Sequence, residues 1–276
     1  MDHLETRVAR HYTSEDLLGR IDAALAQLGL SGRNPDDLKP VDEFHTGGLE
    51  ATDALLSQLE ISPELKVIDI GAGLGGTARH IVHRYGAHVI GVDLTRAFVE
   101  TGRALNERAG LESAITMIEG SALNLPVAAG TADLAVMFHV GMNIDDKDRL
   151  MREVARVLRP GGTFAVFDVM RDNTSEELVF PLPWASEREN SFVAHPLAYR
   201  TAAETAGLEL VTQRNRRDFT LHYFGRVLEA VKTNGLPPLG IHLLMGETAG
   251  EKLRNYVANV EAHRIAPCEM IFRKTP

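Results

Sequence analysis

From Leu65 to Met170 the hydrophobic pattern switches repeatedly between two periods. Short apolar runs, "LKVIDI", "AHVIGVDL", "AITMIEG", "ADLAVMFHV" and "GTFAVFDVM", are separated by segments with helical spacing, among them "GGTARHIVHRY", "RAFVETGRALNERAG" and "DDKDRLMREVARVL". Strands that alternate with helices in this way build βαβ units, and so an α/β chain with a doubly wound parallel sheet covered on both faces. Outside this block the pattern differs. Residues 14–28 place Leu17, Leu18, Ile21, Leu25 and Leu28 on one helical face, with Ser14 as N-cap. "GLSGRNPDDLKPVDEFHTGG" reads as a long ordered loop, and a helix follows over about 48–59. After Met170, "RDNTSEELVFPLPWASERENSF" carries prolines and the single tryptophan, and reads as an insertion over the sheet's ligand-binding edge. "PLAYRTAAETAG" is a helix, "LELVTQRN" a strand, and 218–262 is helical with a break at "NGLPPLG". "RIAPCEMIFRK" is a last strand returning to the sheet. The expected division is an N-terminal helical cap over 1–47 and a main domain over 48–276, with lid insertions at about 170–195 and 218–262.

In "VIDIGAGLGGTARHI", five of the six residues from Gly71 to Gly76 are glycine or alanine. Such a strand-to-helix turn is either a tight turn or a cofactor cradle. Gly71, Gly73 and Gly76 meet G-x-G-x-x-G loosely, a pattern that does not separate NAD from S-adenosylmethionine. Asp93 ends the next strand, 20 residues after Gly73, where doubly wound folds place an acid for ribose hydroxyls. Asp69 stands two residues before Gly71. There a carboxylate repels a pyrophosphate and attracts an ammonium or sulfonium. The residues therefore favour a cationic, phosphate-free cofactor.

Bulk properties narrow the partners. Net charge is −9, from 38 acidic and 29 basic residues, and no basic block offers a nucleic-acid surface. One cysteine, Cys268, excludes an intrachain disulfide and Cys-rich zinc sites. "MDHLETRVARHY" lacks the apolar core of a signal peptide. No run approaches the roughly 18 apolar residues of a membrane span, so a cytoplasmic protein is expected. No His/Asp/Glu cluster has metal-ligand spacing, and no metal is expected.

"VIDIGAGLGG", "GVDLT", "GSALNLPV", "DLAVMFHV" and "EVARVLRPGGTFAVFDV" together resemble, in order, the motifs of class I S-adenosylmethionine-dependent methyltransferases, over about residues 48–170. The resemblance implies a Rossmann-like seven-stranded sheet with an antiparallel last strand, S-adenosylmethionine as cofactor and S-adenosylhomocysteine as product. It implies Asp69, Gly71 and Gly73 at the methionine end, Asp93 on the ribose hydroxyls, Leu94 against the adenine, Ser121 and Ala122 at the adenine edge, and Phe138 beside the cofactor. The family commonly has an acid where Ser121 stands.

"HYTSEDLL" followed by "HTGGLEATDALLSQLEISPELKVIDIGAGLGG" is similar to the start of phosphoethanolamine N-methyltransferases and their sarcosine- and quinone-type relatives. By matched position Tyr12 is the lid tyrosine, touching acceptor and cofactor, and Thr46 and Gly47 line the methionine side. Those enzymes pair the tyrosine with a histidine beyond the fourth strand, where this chain has Asn143, with His139 earlier. Of their phosphate-binding set Arg188 matches, while Trp184 and Asn190 take tyrosine positions. A phosphorylated amine is therefore not favoured. Trp184, Phe180, Phe192 and Met142 point to a more apolar acceptor pocket, or to an aromatic face against a cation. The acceptor-side candidates are Met142, Asn143, Trp184 and Arg188.

His139 ends the fourth strand, at the edge where ligands bind, and is the candidate base. Its alternative is a strand-end histidine that packs or orients the cofactor. Tyr12 is equally read as an aromatic that staples the cap. The expected activity is N- or O-methylation of a small-molecule acceptor. The rivals are an NAD-dependent oxidoreductase, for which no Tyr-x-x-x-Lys set is present, and a cofactor-binding module without catalysis.

Overall fold

The computed structural model describes residues 3–12, 16–172 and 176–276. Its elements begin with helices α1 (His3–Tyr12), α2 (Leu17–Gln27), α3 (Lys39–Asp42) and α4 (Gly48–Leu56). The alternating block follows: β1 (Lys66–Ile70), α5 (Gly76–Tyr85), β2 (His88–Asp93), α6 (Arg96–Arg108), β3 (Ile115–Glu119), β4 (Ala132–Phe138), α7 (Lys147–Val157) and β5 (Leu158–Arg171). Then come α8 (Pro196–Thr205), β6 (Leu208–Asn215), α9 (Arg217–Asn234), α10 (His242–Met245), α11 (Ala249–Glu261) and β7 (Ile265–Lys274). Ser14, expected to cap α2, lies outside the described residues.

All seven strands form one sheet in the order β3-β2-β1-β4-β5-β7-β6. Neighbours from β3 to β5 are parallel, and β7 runs antiparallel between β5 and β6. The doubly wound sheet with its antiparallel last strand is as the resemblance implied. Strand order reverses between β1 and β4, and at such a point the loops leave opposite faces and open a crevice. The pleat of β1 sets what faces it. Ile68 and Ile70 join an apolar cluster with Leu150, Met151 and Val154. Val67 joins the opposite cluster with Leu55, Ile81 and Val99. Period two then puts Asp69 on the Val67 side, near the mouth of the strand.

Residues 29–48 depart from the expected loop. They wind through a 3-10 turn, Pro35–Leu38, into α3. Asn34 Oδ1 accepts from Asp36 N–H at 3.1 Å, and Pro35 pre-sets the first helical position. Leu38 and Val41 are fully buried, and this burial makes the segment a packed rim. Both belong to a cluster with Leu17, Ile21 and Leu25 of α2, Phe98 of α6 and Leu244 of α10. Among the described residues no helix is long and apolar enough to cross a membrane.

Candidate active site

A cavity of about 1110 Å³ lies beyond the carboxyl ends of β1, β2 and β4. Gly71 turns out of β1 with φ 71°, and a Cβ there would lie 2.2 Å from Val140 Cγ2. Only glycine lets this loop pass the one after β4.

Two carboxylates stand beside the glycine turn. Asp93 is held by the backbone: Oδ2 accepts from Gly73 N–H and Oδ1 from Thr95 N–H, each at 2.8 Å. Burial pushes its pKa up against those bonds, and each oxygen keeps acceptor capacity. Asp69 is buried, and its Oδ2 has no hydrogen-bond partner. Burial, with Glu43 and Asp93 nearby, pushes its pKa up to about 8. An orphaned, buried carboxylate oxygen on the wall of a cavity suits a cationic ligand group. The α3–α4 rim adds a buried network. Lys39 Nζ donates to Glu43 Oε1 at 2.8 Å and to the Gly76 carbonyl at 2.9 Å. Thr52 donates to Glu43 Oε2 at 2.7 Å, and His45 Nε2 lies 2.9 Å from Thr52 Oγ1. Burial alone would raise Glu43, but Lys39 and these bonds hold it below the usual carboxylate range.

Thr46, Gly47, Asp69, Gly71, Gly73, Asp93, Leu94, Ser121, Ala122 and Phe138 all line the one cavity. So do Tyr12, His139, Met142, Asn143 and Trp184. Arg188 does not: its exposed guanidinium pairs with Glu177 at the surface. The short turn carrying it, Arg188–Asn190, has no buried residue, so the positional match with a phosphate-binding arginine does not bring its charge to the site. Phe180 and Phe192 also lie outside the lining, whereas Met142 and Trp184 form part of it.

The acceptor side is built on the turn after β4. His139 takes a positive φ of 53°, and its ring centroid lies 5.0 Å from that of Phe167 and 5.9 Å from that of His45. Nε2 is shielded from solvent without a hydrogen-bond partner, and burial, with His45 adding to it, holds the imidazole well below its ordinary pKa. Tyr12 O–H donates to Asn143 Oδ1 at 3.4 Å. Asn143 thus meets Tyr12, but an amide can orient a hydroxyl and cannot take up its proton. Beneath this turn Tyr199 donates to Asp168 Oδ2 at 2.7 Å. A Cβ on Gly141 would lie 2.3 Å from the same oxygen. Trp184 is buried, donates from Nε1 to Ser191 Oγ at 2.9 Å, and meets Tyr256 edge-on.

Sequence reasoning missed several lining residues. Glu5 of α1 accepts from Ser121 Oγ and so places an acid beside Ser121 on the cavity wall. Tyr256 of α11 shares a 2.7 Å bond with Thr46 across 210 residues. Phe224, Val227, Leu244, Met245 and Leu253 form an apolar wall from α9, α10 and α11. Apart from the apolar spacing within α9 and α11, no local signal marks these residues as facing the glycine loop.

Residues 68–166 match a family model described as a methyltransferase domain. The chain is 30% identical over 193 residues to a sarcosine/dimethylglycine N-methyltransferase from Halorhodospira halochloris, covering 70% of this chain and 68% of that protein. It is 28% identical over 192 residues to a phosphoethanolamine N-methyltransferase from Triticum aestivum, covering 68% of this chain and 37% of that one. Among solved structures, a geranyl diphosphate C-methyltransferase from Streptomyces coelicolor A3(2) superimposes with a TM-score of 0.73 at 16% identity, over 99% of this chain and 98% of that one.

Proposed function

The chain belongs to the class I S-adenosylmethionine-dependent methyltransferases, and from that premise we propose that it methylates nitrogen or oxygen of a small molecule held between α1, the turn after β4 and the helices α9–α11. One juxtaposition carries this reading. A single cavity joins Asp69 with its orphaned oxygen, Asp93 on its backbone donors, and His139 with its unpartnered Nε2. Bound there, the cofactor would supply a methyl group on a sulfonium, which an acceptor lone pair would take as the bond to sulfur is given up.

The residues then divide by place. Asp69 takes the cofactor's α-amino group, and Thr46, Gly47, Gly71 and Gly73 shape the methionine end. Asp93 accepts from the ribose hydroxyls. Leu94, Ser121 and Ala122 surround the adenine, and Phe138 packs beside the cofactor. His139 Nε2 takes the acceptor's proton as the new bond forms and passes it to water. Tyr12 and Asn143 orient the acceptor, with Met142 and Trp184 as its walls. The relatives' names span charged amines and an isoprenoid diphosphate, so they support the reaction and leave the acceptor to this cavity.

Thermal unfolding tests the reading. S-adenosylhomocysteine at 100 times its Kd stabilises the native state by about 2.7 kcal/mol. NAD should give no shift. An unchanged melting temperature with S-adenosylhomocysteine would sink the proposal.

A further inference from the structure

Resting on that reading, we propose that the acceptor is a large, mostly apolar molecule without negative charge. Three features of the cavity converge on it. The first is size. At about 1110 Å³ the cavity stands at the top of the roughly 300–1,000 Å³ range of ligand pockets, and it runs from Asp69 and Asp93 to the α9–α11 wall, which leaves space beside the cofactor. The second is the wall opposite the carboxylates. α9 contributes Phe224, Val227, Leu228 and Val231, and Leu253 and Val257 come from α11. This surface continues outward, since Leu228 and Leu236 line the cavity while 57% and 63% exposed. Large exposed apolar side chains at a cavity mouth mark a surface that a ligand covers.

The third feature is charge. Among the described lining residues Lys39 and Arg254 are the only lysine and arginine. Lys39 Nζ is taken by Glu43 and the Gly76 carbonyl, which leaves Arg254, exposed on α11, as the lining cation open to a ligand. Burial keeps the lining histidines His45, His139 and His242 below the ordinary histidine pKa. Besides Asp69 and Asp93 on the cofactor, and Asp42 and Glu43 paired with Arg79 and Lys39, Asp145 and Glu261 add acid to the same lining. Away from Arg254, the carboxylate of a small amino acid, or a phosphate, would therefore sit against apolar and acidic surface without a paired cation, which is costly. An uncharged apolar skeleton meets no such penalty.

The test uses the full chain loaded with S-adenosylhomocysteine, with Nile red as a neutral apolar probe. The loaded protein should bind one equivalent of the dye with a rise in emission. Leu228→Lys should weaken the dye by about tenfold, the worth of one buried leucine, while S-adenosylhomocysteine affinity stays within about twofold. In turnover, farnesol or estradiol should be methylated in preference to sarcosine or phosphoethanolamine. Absence of dye binding by the loaded protein, indifference to Leu228→Lys, or faster turnover of either charged amine overturns the proposal. Where no panel compound is methylated, the dye result decides. Failure of S-adenosylhomocysteine itself to bind overturns the cofactor reading instead.

Discussion

Asp69 serves the free protein badly and its proposed ligand well. Its side chain is buried with one oxygen unpartnered, and its pKa is pushed up to about 8, against about 3.9 in an unfolded chain. The native state therefore binds the extra proton between about pH 4 and 8, and stability falls as pH rises through that window. Asp69→Asn removes the effect. At pH 8 the ligand-free variant should be more stable by about 1–3 kcal/mol, the usual cost of an unsatisfied buried group, as read by chemical denaturation. The same change should weaken S-adenosylmethionine by about 10- to 100-fold, since a charge-assisted bond is lost. At pH 7 the wild type must release a proton to pair with the ammonium, so calorimetry in buffers of different ionisation enthalpy should detect up to about one proton released per site. A wild-type heat independent of buffer would place the ammonium elsewhere. His139 gives a second test. With Nε2 free and the ring held neutral, His139→Ala should lower kcat by about 100-fold or more as a lost base. S-adenosylhomocysteine affinity should change by about threefold at most. Equal losses in both would make His139 a positioning residue.

At the scale of elements, the site rests on supports that never touch the cavity. The turn Gly141–Asn143 carries Met142 and Asn143. Beneath it lie Asp168 of β5 and Tyr199 of α8, both fully buried. Burial pushes Asp168 up to about 6 while the Tyr199 hydroxyl draws it back down. Tyr199→Phe deletes that donor and should cost about 1–3 kcal/mol of stability. Because the turn faces the acceptor side, acceptor KM should rise several-fold with S-adenosylhomocysteine affinity unchanged. A stability loss without the KM change would show that the turn keeps its place without Asp168. This dependence is partly legible in the sequence. Asp168 and Tyr199 read only as strand and helix residues, because their meeting is set by how α8 packs against α7 and β6. The 29–48 stretch is similar: its Gly and Pro content reads as loop, yet burial of Leu38 and Val41 winds it into helical turns.

Over the whole molecule, legibility follows the range of the interaction. From Leu65 to Met170 each strand, glycine turn and helix is announced by its own neighbours, so the part of the cavity built on the glycine turn and Asp93 can be read along the chain. The rest of the lining is assembled from α1, residues 39–50, residues 183–184 and α9–α11. Its contacts include Thr46 with Tyr256 and His11 Nε2 with the Pro183 carbonyl at 3.0 Å, 172 residues apart. Position matching failed there for Arg188, because the face a short turn presents depends on what packs beneath it. The same division predicts where the molecule yields. α1 has ten residues, shorter than the roughly 12–15 at which an isolated helix is even marginal in water. Its order therefore comes from what it covers. Val8 and Tyr12 line the cavity, Glu5 meets Ser121 at one end, and Tyr12 meets Asn143 at the other. A cofactor filling the space beneath adds contacts to α1 that the ligand-free protein lacks, and raises the free energy of its local opening. Hydrogen exchange of α1 amides should slow by about tenfold or more at saturating S-adenosylhomocysteine. Amides of β4 and β5, already at the sheet's centre, should change in proportion to global stability alone. Equal slowing in α1 and the central strands would mean that the helix opens only with the whole fold. No slowing in α1 would mean that it does not cover the cofactor.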